Sequence, residues 1–405
     1  MTSKAPVLCL SRSRWADEVA AHRNRYQMLS RFARDRRVVL LECPFELATL
    51  ARPSRAKIAG LAAALGPARR DAAGVTTLRS LGWWLRDGDG ASWRLNRWLY
   101  RPWLSRALRL VGRAPVAWVY DHRLWPLLER LPAAARVYHC TEDYAGIAGR
   151  AHGPRVGAWV AGQERELLRR VELVLAVSEG IADRLREQHR DVRVVRSGVD
   201  LGLYRPDAPC LDDCGGIAEL PRPVLGYVGE VNYRLDFGLL ERVADRFSAG
   251  SVVLVGGESG LADRADFRRL AARRNVRRFG HRPPERLASL IARFDVCLMP
   301  FIQEAWFVRA AQPLKTFEYL ACGKPVVSTM LPNLKPWSHV VALCDTAEEF
   351  VDACTRAVDG EAPGARDARL AAARANSWES RFAEVDAALT ELLAGGGARA
   401  TMPPS

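Results

Sequence analysis

Short runs of apolar residues punctuate the chain, and the stretches between them carry apolar positions at helical spacing. In the first half the runs fall at 7–10, 38–41, 116–120, 137–140 and 173–177. Runs of this length, apolar at consecutive positions, predict strands buried on both faces of a parallel sheet. A loop at 11–15 and a helix to about Arg34 follow the first run. From 205 to 223 the sequence turns rich in Pro, Gly and Asp and reads as a linker. The alternation then restarts, with runs at 224–228, 252–255, 276–279, 296–300, 326–328 and 340–343. Strands alternating with helices on both sides of a linker predict an α/β protein of two Rossmann-like domains facing across a cleft. The expected boundaries are 1–205 for the first domain, 206–223 for the linker and 224–376 for the second domain. An amphipathic helix at 377–394 is expected to pack back towards the first domain, and 395–405 to form a disordered tail.

Composition narrows the class. The 405 residues are 49% hydrophobic and 26% charged, which suits globular domains with their own cores. The net charge of +14, mostly arginine, predicts attraction to anionic partners: phosphorylated ligands, a membrane surface or nucleic acid. Nine cysteines are scattered, several inside apolar runs (Cys9, Cys297, Cys322), as expected of reduced thiols in a cytoplasmic protein. The close pair Cys210 and Cys214 lacks a second pair at zinc spacing, so no metal is expected. Neither an N-terminal apolar signal nor a run of membrane-spanning length is present.

One segment departs from the alternation. Residues 93–113, WRLNRWLYRPWLSRALRLVGR, hold six arginines and three tryptophans. On a helical wheel Trp93, Leu99, Tyr100, Trp103, Leu110 and Val111 share one side, with the arginines spread over the other. Such a helix either buries its aromatic stripe in its own domain or lies on an anionic membrane or acceptor, through Trp93, Arg97, Trp98, Arg101 and Trp103. Trp83 and Trp84 precede it. No helix-turn-helix, zinc or RNA-recognition signature accompanies the charge, so no nucleic-acid partner is expected.

Candidate chemistry should lie just after strands, at their carboxyl ends. The stretch 313–327, PLKTFEYLACGKPVV, reads as a helix and a strand, with Pro313 in the first turn and Gly323 closing the helix. Lys315 and Glu318 are three residues apart and share a face. They can form a surface ion pair. They can also grip a nucleotide, with Lys315 and the helix start on phosphate and Glu318 on ribose hydroxyls. Gly229 and Arg234 follow the run at 224–228, and Gly256 follows 252–255; each suits either a ligand or a plain turn. After 137–140, Glu142 and Asp143 are either bases or helix caps, and His139 is either a base or a core histidine. The sequence SGVD at 197–200 reads as a turn ending the first domain.

At these motifs the chain resembles glycosyltransferases of the two-Rossmann-domain (GT-B) type, family 4 and the large group 1 set. The match extends over VLAVS at 174–178, SGVD, LGYVG at 225–229, FGHRPPERLASLIARFDVCLMP at 279–300 and, above all, PLKTFEYLACGKPVV. Trp15, Arg23 and Gln27 resemble a subgroup of the teichuronic-acid type, which makes cell-surface polysaccharides. The resemblance implies transfer of a sugar from a nucleotide sugar to a glycan or lipid-linked acceptor, with retention, and without metal or other cofactor. It implies that Glu318 holds the donor ribose, that Lys315 and Thr316 lie in the donor motif, and that Arg234 meets the diphosphate. The sequence also departs from the family. Ala310 stands where a glutamate often contacts the donor sugar, with Glu304 the nearest substitute, and Ser11-Arg12-Ser13 replaces the N-terminal glycine pair. If the reaction inverts instead, His139, Glu142 or Asp143 would supply the base. A nucleotide-sugar 2-epimerase of the same fold and a non-catalytic membrane or partner scaffold are the alternatives. The protein is expected in the cytoplasm, at most peripheral on the inner face of the membrane.

Overall fold

The computed structural model describes residues 4–43, 66–80, 90–129, 131–209 and 214–399. The chain divides into two compact units, 1–195 with 382–405, and 196–381.

The first unit holds an eight-stranded sheet: β1 (Val7–Ser11), β2 (Val38–Glu42), β3 (Arg69–Arg70), β4 (Thr76–Arg79), β5 (Val116–Val119), β6 (Ala135–Cys140), β7 (Leu173–Ala176) and β8 (Val192–Val194). Their order is β3-β4-β2-β1-β5-β6-β7-β8, parallel except for the β3–β4 pair. The runs at β1, β2 and β5 are buried at every position, because helices cover both faces. The second unit holds β9 (Val224–Val228), β10 (Ser251–Val255), β11 (Val276–Phe279), β12 (Val296–Met299), β13 (Val326–Thr329) and β14 (Ala342–Cys344). This sheet is ordered β11-β10-β9-β12-β13-β14 and wholly parallel. Strand order reverses between β9 and β12, and in such sheets ligands bind beyond the carboxyl ends at the reversal.

Several local expectations are corrected. β4 and β8 carry no continuous apolar run, so their pattern hides them; in β4 only Leu78 is buried. The helix expected to reach Arg34 is two, Trp15–Ala20 and Asn24–Phe32, parted where His22 takes φ 46°. The stretch 206–223 is no bare linker. It carries a 3-10 turn, Cys214–Glu219, and Ile217 is fully buried in the second unit's core, to which Tyr204 also belongs. The SGVD segment belongs there too: Val199 bridges to Ser377, and a side chain at Gly198 would collide with the Ser377 backbone. The last helix runs Trp378–Arg399, so 395–399 continue it rather than form a disordered tail; extending a nucleated helix costs little. The side chain of Cys214 and all of Cys210, Trp83 and Trp84 lie outside the described residues.

Candidate active site in the second unit

At the reversal point the two central strands separate. β9 pairs with β12 only at Leu225 and Gly226. Above that pairing, the backbone N–H of Val228 donates to the Tyr319 hydroxyl at 2.7 Å, and this hydroxyl donates back to the Val228 carbonyl at 3.4 Å. Tyr319 comes from the helix Lys315–Ala321, so the hydroxyl ties that helix to the tip of β9. The helix closes on Gly323 at φ 72°, with Gly323 and Lys324 N–H groups donating to the carbonyls of Leu320 and Tyr319.

The turn after β9 approaches the same helix. A Cβ on Gly229, which has φ 141°, would lie 2.9 Å from Lys315 Nζ, so glycine lets the ammonium reach the backbone. Gly256 at the end of β10 is required more strictly. Its Cβ would sit 1.9 Å from the Gly229 carbonyl oxygen, so its role is to let the two turns pack. Lys315 Nζ lies 4.8 Å from the Tyr227 ring centroid and 5.3 Å from that of Phe301. These rings attract a cation without neutralising it. The Arg234 guanidinium lies 6.0 Å from the Phe307 ring, and its buried Nε has no hydrogen-bond partner. Neither Lys315 nor Arg234 has a carboxylate within ion-pair distance among the described residues.

Glu318, one turn along from Lys315, lies near the Tyr204 hydroxyl, which favours its charged form. Burial pushes its carboxyl up to about 7, against the pull of Lys315 and Tyr204. The structure thus gathers Gly229, Arg234, Lys315 and Glu318 at the carboxyl end of one sheet. Two cations, a carboxylate and turns with exposed backbone can hold a diphosphate and a diol.

Other candidates are placed differently. Pro313 precedes the helix, and its carbonyl accepts the Thr316 N–H. The helix spans only seven residues, so its dipole is weak and Lys315 is the stronger positive group at its start. Thr316 is fully buried with its hydroxyl on the Met299 sulfur at 3.5 Å, and cannot touch a donor. Glu304 accepts the Trp306 indole N–H at 2.7 Å. Tyr204 and Tyr319 were not foreseen; a hydroxyl inside an apolar stripe reads as core.

In the first unit, His139 is a core histidine rather than a base. It is fully buried, stacked on Tyr120 and edge-on to Trp118, and burial lowers its pKa to about 3. Asp143 caps the helix Tyr144–His152 by accepting the Gly146 N–H, and it pairs with Arg184 at 3.8 Å. Glu142 is exposed. His122, beyond β5, is buried with neither ring nitrogen partnered; burial also lowers its pKa.

The tryptophan–arginine segment forms the helix Gly90–Val111. Tyr100, Ala107 and Val111 are buried, so much of the expected stripe belongs to the domain core. Arg97 pairs with Glu129 at 2.6 Å. Trp103 is half-buried, and the side chain of Trp93 is outside those described. Trp98 and Leu95 remain 66% and 44% exposed, with Arg94 and Arg101 exposed beside them.

Comparison with known proteins fits this picture. Residues 222–359 match the family described as Glycosyl transferases group 1. TuaH of Bacillus subtilis (strain 168), a glycosyltransferase assigned to teichuronic acid biosynthesis, is 25% identical over 309 residues, 66% of this chain and 76% of its own. Sucrose-phosphate synthase from Thermosynechococcus elongatus superposes with a TM-score of 0.69 at 17% identity, over 96% of this chain and 100% of its own. Anabaena Alr3699/HepE, solved in complex with UDP, gives 0.67 at 14% identity, over 95% and 100%. The chain has the GT-B fold, and its residues 222–359 carry the match to the group 1 glycosyl transferases.

Proposed function

We propose that the protein moves a sugar from a nucleotide-sugar donor to a glycan or lipid-linked acceptor, in the synthesis of a cell-surface polysaccharide or glycolipid. The placement of Lys315, Arg234 and Glu318 around the Gly229 turn carries this proposal. Glu318 accepts the ribose hydroxyls. Lys315 and Arg234 bind the diphosphate and stabilise the charge that grows on it as the bond to the anomeric carbon breaks. The acceptor oxygen forms the new bond to that carbon. Its proton passes to the departing phosphate, so the reaction retains configuration and needs neither a protein base nor a metal. The burial of His139 and the capping role of Asp143 support this route, since each removes a candidate base. The UDP bound by Alr3699/HepE supports a nucleoside diphosphate as leaving group.

A thermal-shift panel of nucleotide sugars tests the donor, since a ligand of the native state raises its melting point. At least one should raise Tm in the wild type and none in Glu318→Ala. Conversion of a UDP-sugar without acceptor would point to an epimerase, and failure of every donor to bind would point to a scaffold.

The exposed Trp98 and Leu95 between arginines support a second role, docking of the first unit on an anionic membrane from the cytoplasmic side. No helix among the described residues is long and apolar enough to cross a membrane. Trp98→Ala should lower sedimentation with vesicles containing phosphatidylglycerol; equal recovery of both proteins in the supernatant would refute docking.

A further inference from the structure

At the other end of the second unit's sheet, where β9, β12 and β13 begin, a cavity of about 730 Å3 opens. Its charged lining does not balance. Asp295 is engaged by Arg222 at 2.5 Å and by the Val224 N–H at 2.7 Å. Glu361 is engaged by Arg369 at 2.6 Å, and the same guanidinium donates to the Gly323 carbonyl. Both carboxylates of the cavity are therefore satisfied. Lys324 and Arg366 also line it, and neither has a carboxylate within ion-pair distance among the described residues.

The turn at Gly323 positions both residues. The helix-closing turn fixes Lys324, whose N–H bonds the Tyr319 carbonyl at 3.1 Å. Arg366 lies along the adjacent glycine, with Nε 3.0 Å from where a Gly323 Cβ would stand. The Lys324 ammonium is partly withdrawn from water, which lowers its pKa. Asp295 offsets part of the lysine's charge, but that carboxylate is already engaged by Arg222, so a ligand anion would find both cations without an ion-pair partner among the described residues. Pro223, Ala357 and Val358, each half-buried, add apolar lining. A pocket of this size with apolar lining and a few convergent polar groups suits a small organic ligand.

We propose that this cavity binds a soluble phosphate monoester, with the dianion on Lys324 and Arg366 and the organic part against Pro223 and Val358. The inference is independent of the donor proposal, because the cavity lies at the opposite ends of the strands from Lys315 and Glu318.

Ribose 5-phosphate, titrated calorimetrically into the full chain, is the probe, with free ribose as control. Three proteins separate the two phosphate-accepting regions: wild type, Lys324→Met/Arg366→Gln and Lys315→Ala/Arg234→Ala. Ribose 5-phosphate should bind the wild type, bind Lys315→Ala/Arg234→Ala within twofold, and lose at least tenfold in affinity in Lys324→Met/Arg366→Gln. Free ribose should not bind. Absence of binding to the wild type, unchanged affinity in Lys324→Met/Arg366→Gln, or loss only in Lys315→Ala/Arg234→Ala would each overturn the proposal. Lys324→Met/Arg366→Gln should keep the circular dichroism spectrum of the wild type, since neither side chain makes an ion pair among the described residues. Should it fail to fold, the single Arg366→Gln, at an exposed position, must still weaken the probe at least threefold.

Discussion

The carboxyl ends of the two sheets use charge in opposite ways. Beyond β1, β5 and β6 in the first unit, cations are matched: Arg25 to Glu18 at 2.8 Å, Arg184 to Glu164 and Asp143, Arg12 to Asp121 at 4.0 Å. Between them two histidines are buried, and burial favours their neutral form. Beyond β9 and β12 in the second unit, Lys315 and Arg234 rest on aromatic rings, and the nearby Glu318 is drawn towards its neutral form. A cation already paired gains little from an anionic ligand, because that ligand must displace or share its partner. A cation on a π face keeps nearly all its charge for the ligand. The same doubly wound topology thus yields one region poised for a strong anion and another whose charges serve its own packing.

Removing the poised charges should have the largest effect. Lys315→Ala and Glu318→Ala should each lower sugar transfer about a thousandfold, comparable to deleting one preorganised transition-state contact, with circular dichroism unchanged. Transfer within threefold of wild type in both would erase the contrast between the units. Gly256→Ala should come next. The added Cβ meets the Gly229 carbonyl and φ is 153°, so a loss of about 3 kcal/mol is expected from denaturant unfolding.

Glu318→Gln sharpens the contrast through pH. The native carboxyl titrates near 7, above the 4.5 of an ordinary glutamate, so the folded state holds the extra proton between those values. Stability from this group is therefore present below pH 4.5 and lost as pH rises through 7. Glu318→Gln should be more stable than wild type by about 1–3 kcal/mol at pH 8, level with it near pH 4, and unable to hold donor. Wild-type donor affinity should fall as pH drops below 7, because a protonated carboxyl is the poorer acceptor. The smallest effect is expected at His139→Leu. Removing a buried imidazole without hydrogen bonds should leave transfer within twofold and Tm equal or higher. A folded but inactive His139→Leu would return catalysis to the first unit.

The parallel strands were legible because burial on both faces leaves a mark in consecutive residues, as at β1, β2, β9 and β10. β4 escaped because a single buried leucine is all it needs at its place in the sheet. At the candidate site, Lys315 and Glu318 were legible from spacing and from the motif around them. Thr316 was misjudged because adjacent helical residues point about 100° apart, and this one turns to Met299. His139 stayed open between base and core for a similar reason. A position near a strand end says nothing about whether its side chain meets solvent or, as here, Trp118 and Tyr120. Tyr204 could not be found from local pattern, since its neighbour Glu318 lies more than a hundred residues away.

The Tyr319 hydroxyl acts as a wedge. By satisfying both the N–H and the carbonyl of Val228, it replaces the neighbour that β9 lacks above Gly226. The gap between the strands is thereby held at a width set by a phenol ring, whether or not anything occupies it. A ligand arriving there finds backbone that needs no further ordering, so little of its binding free energy goes to immobilising the protein.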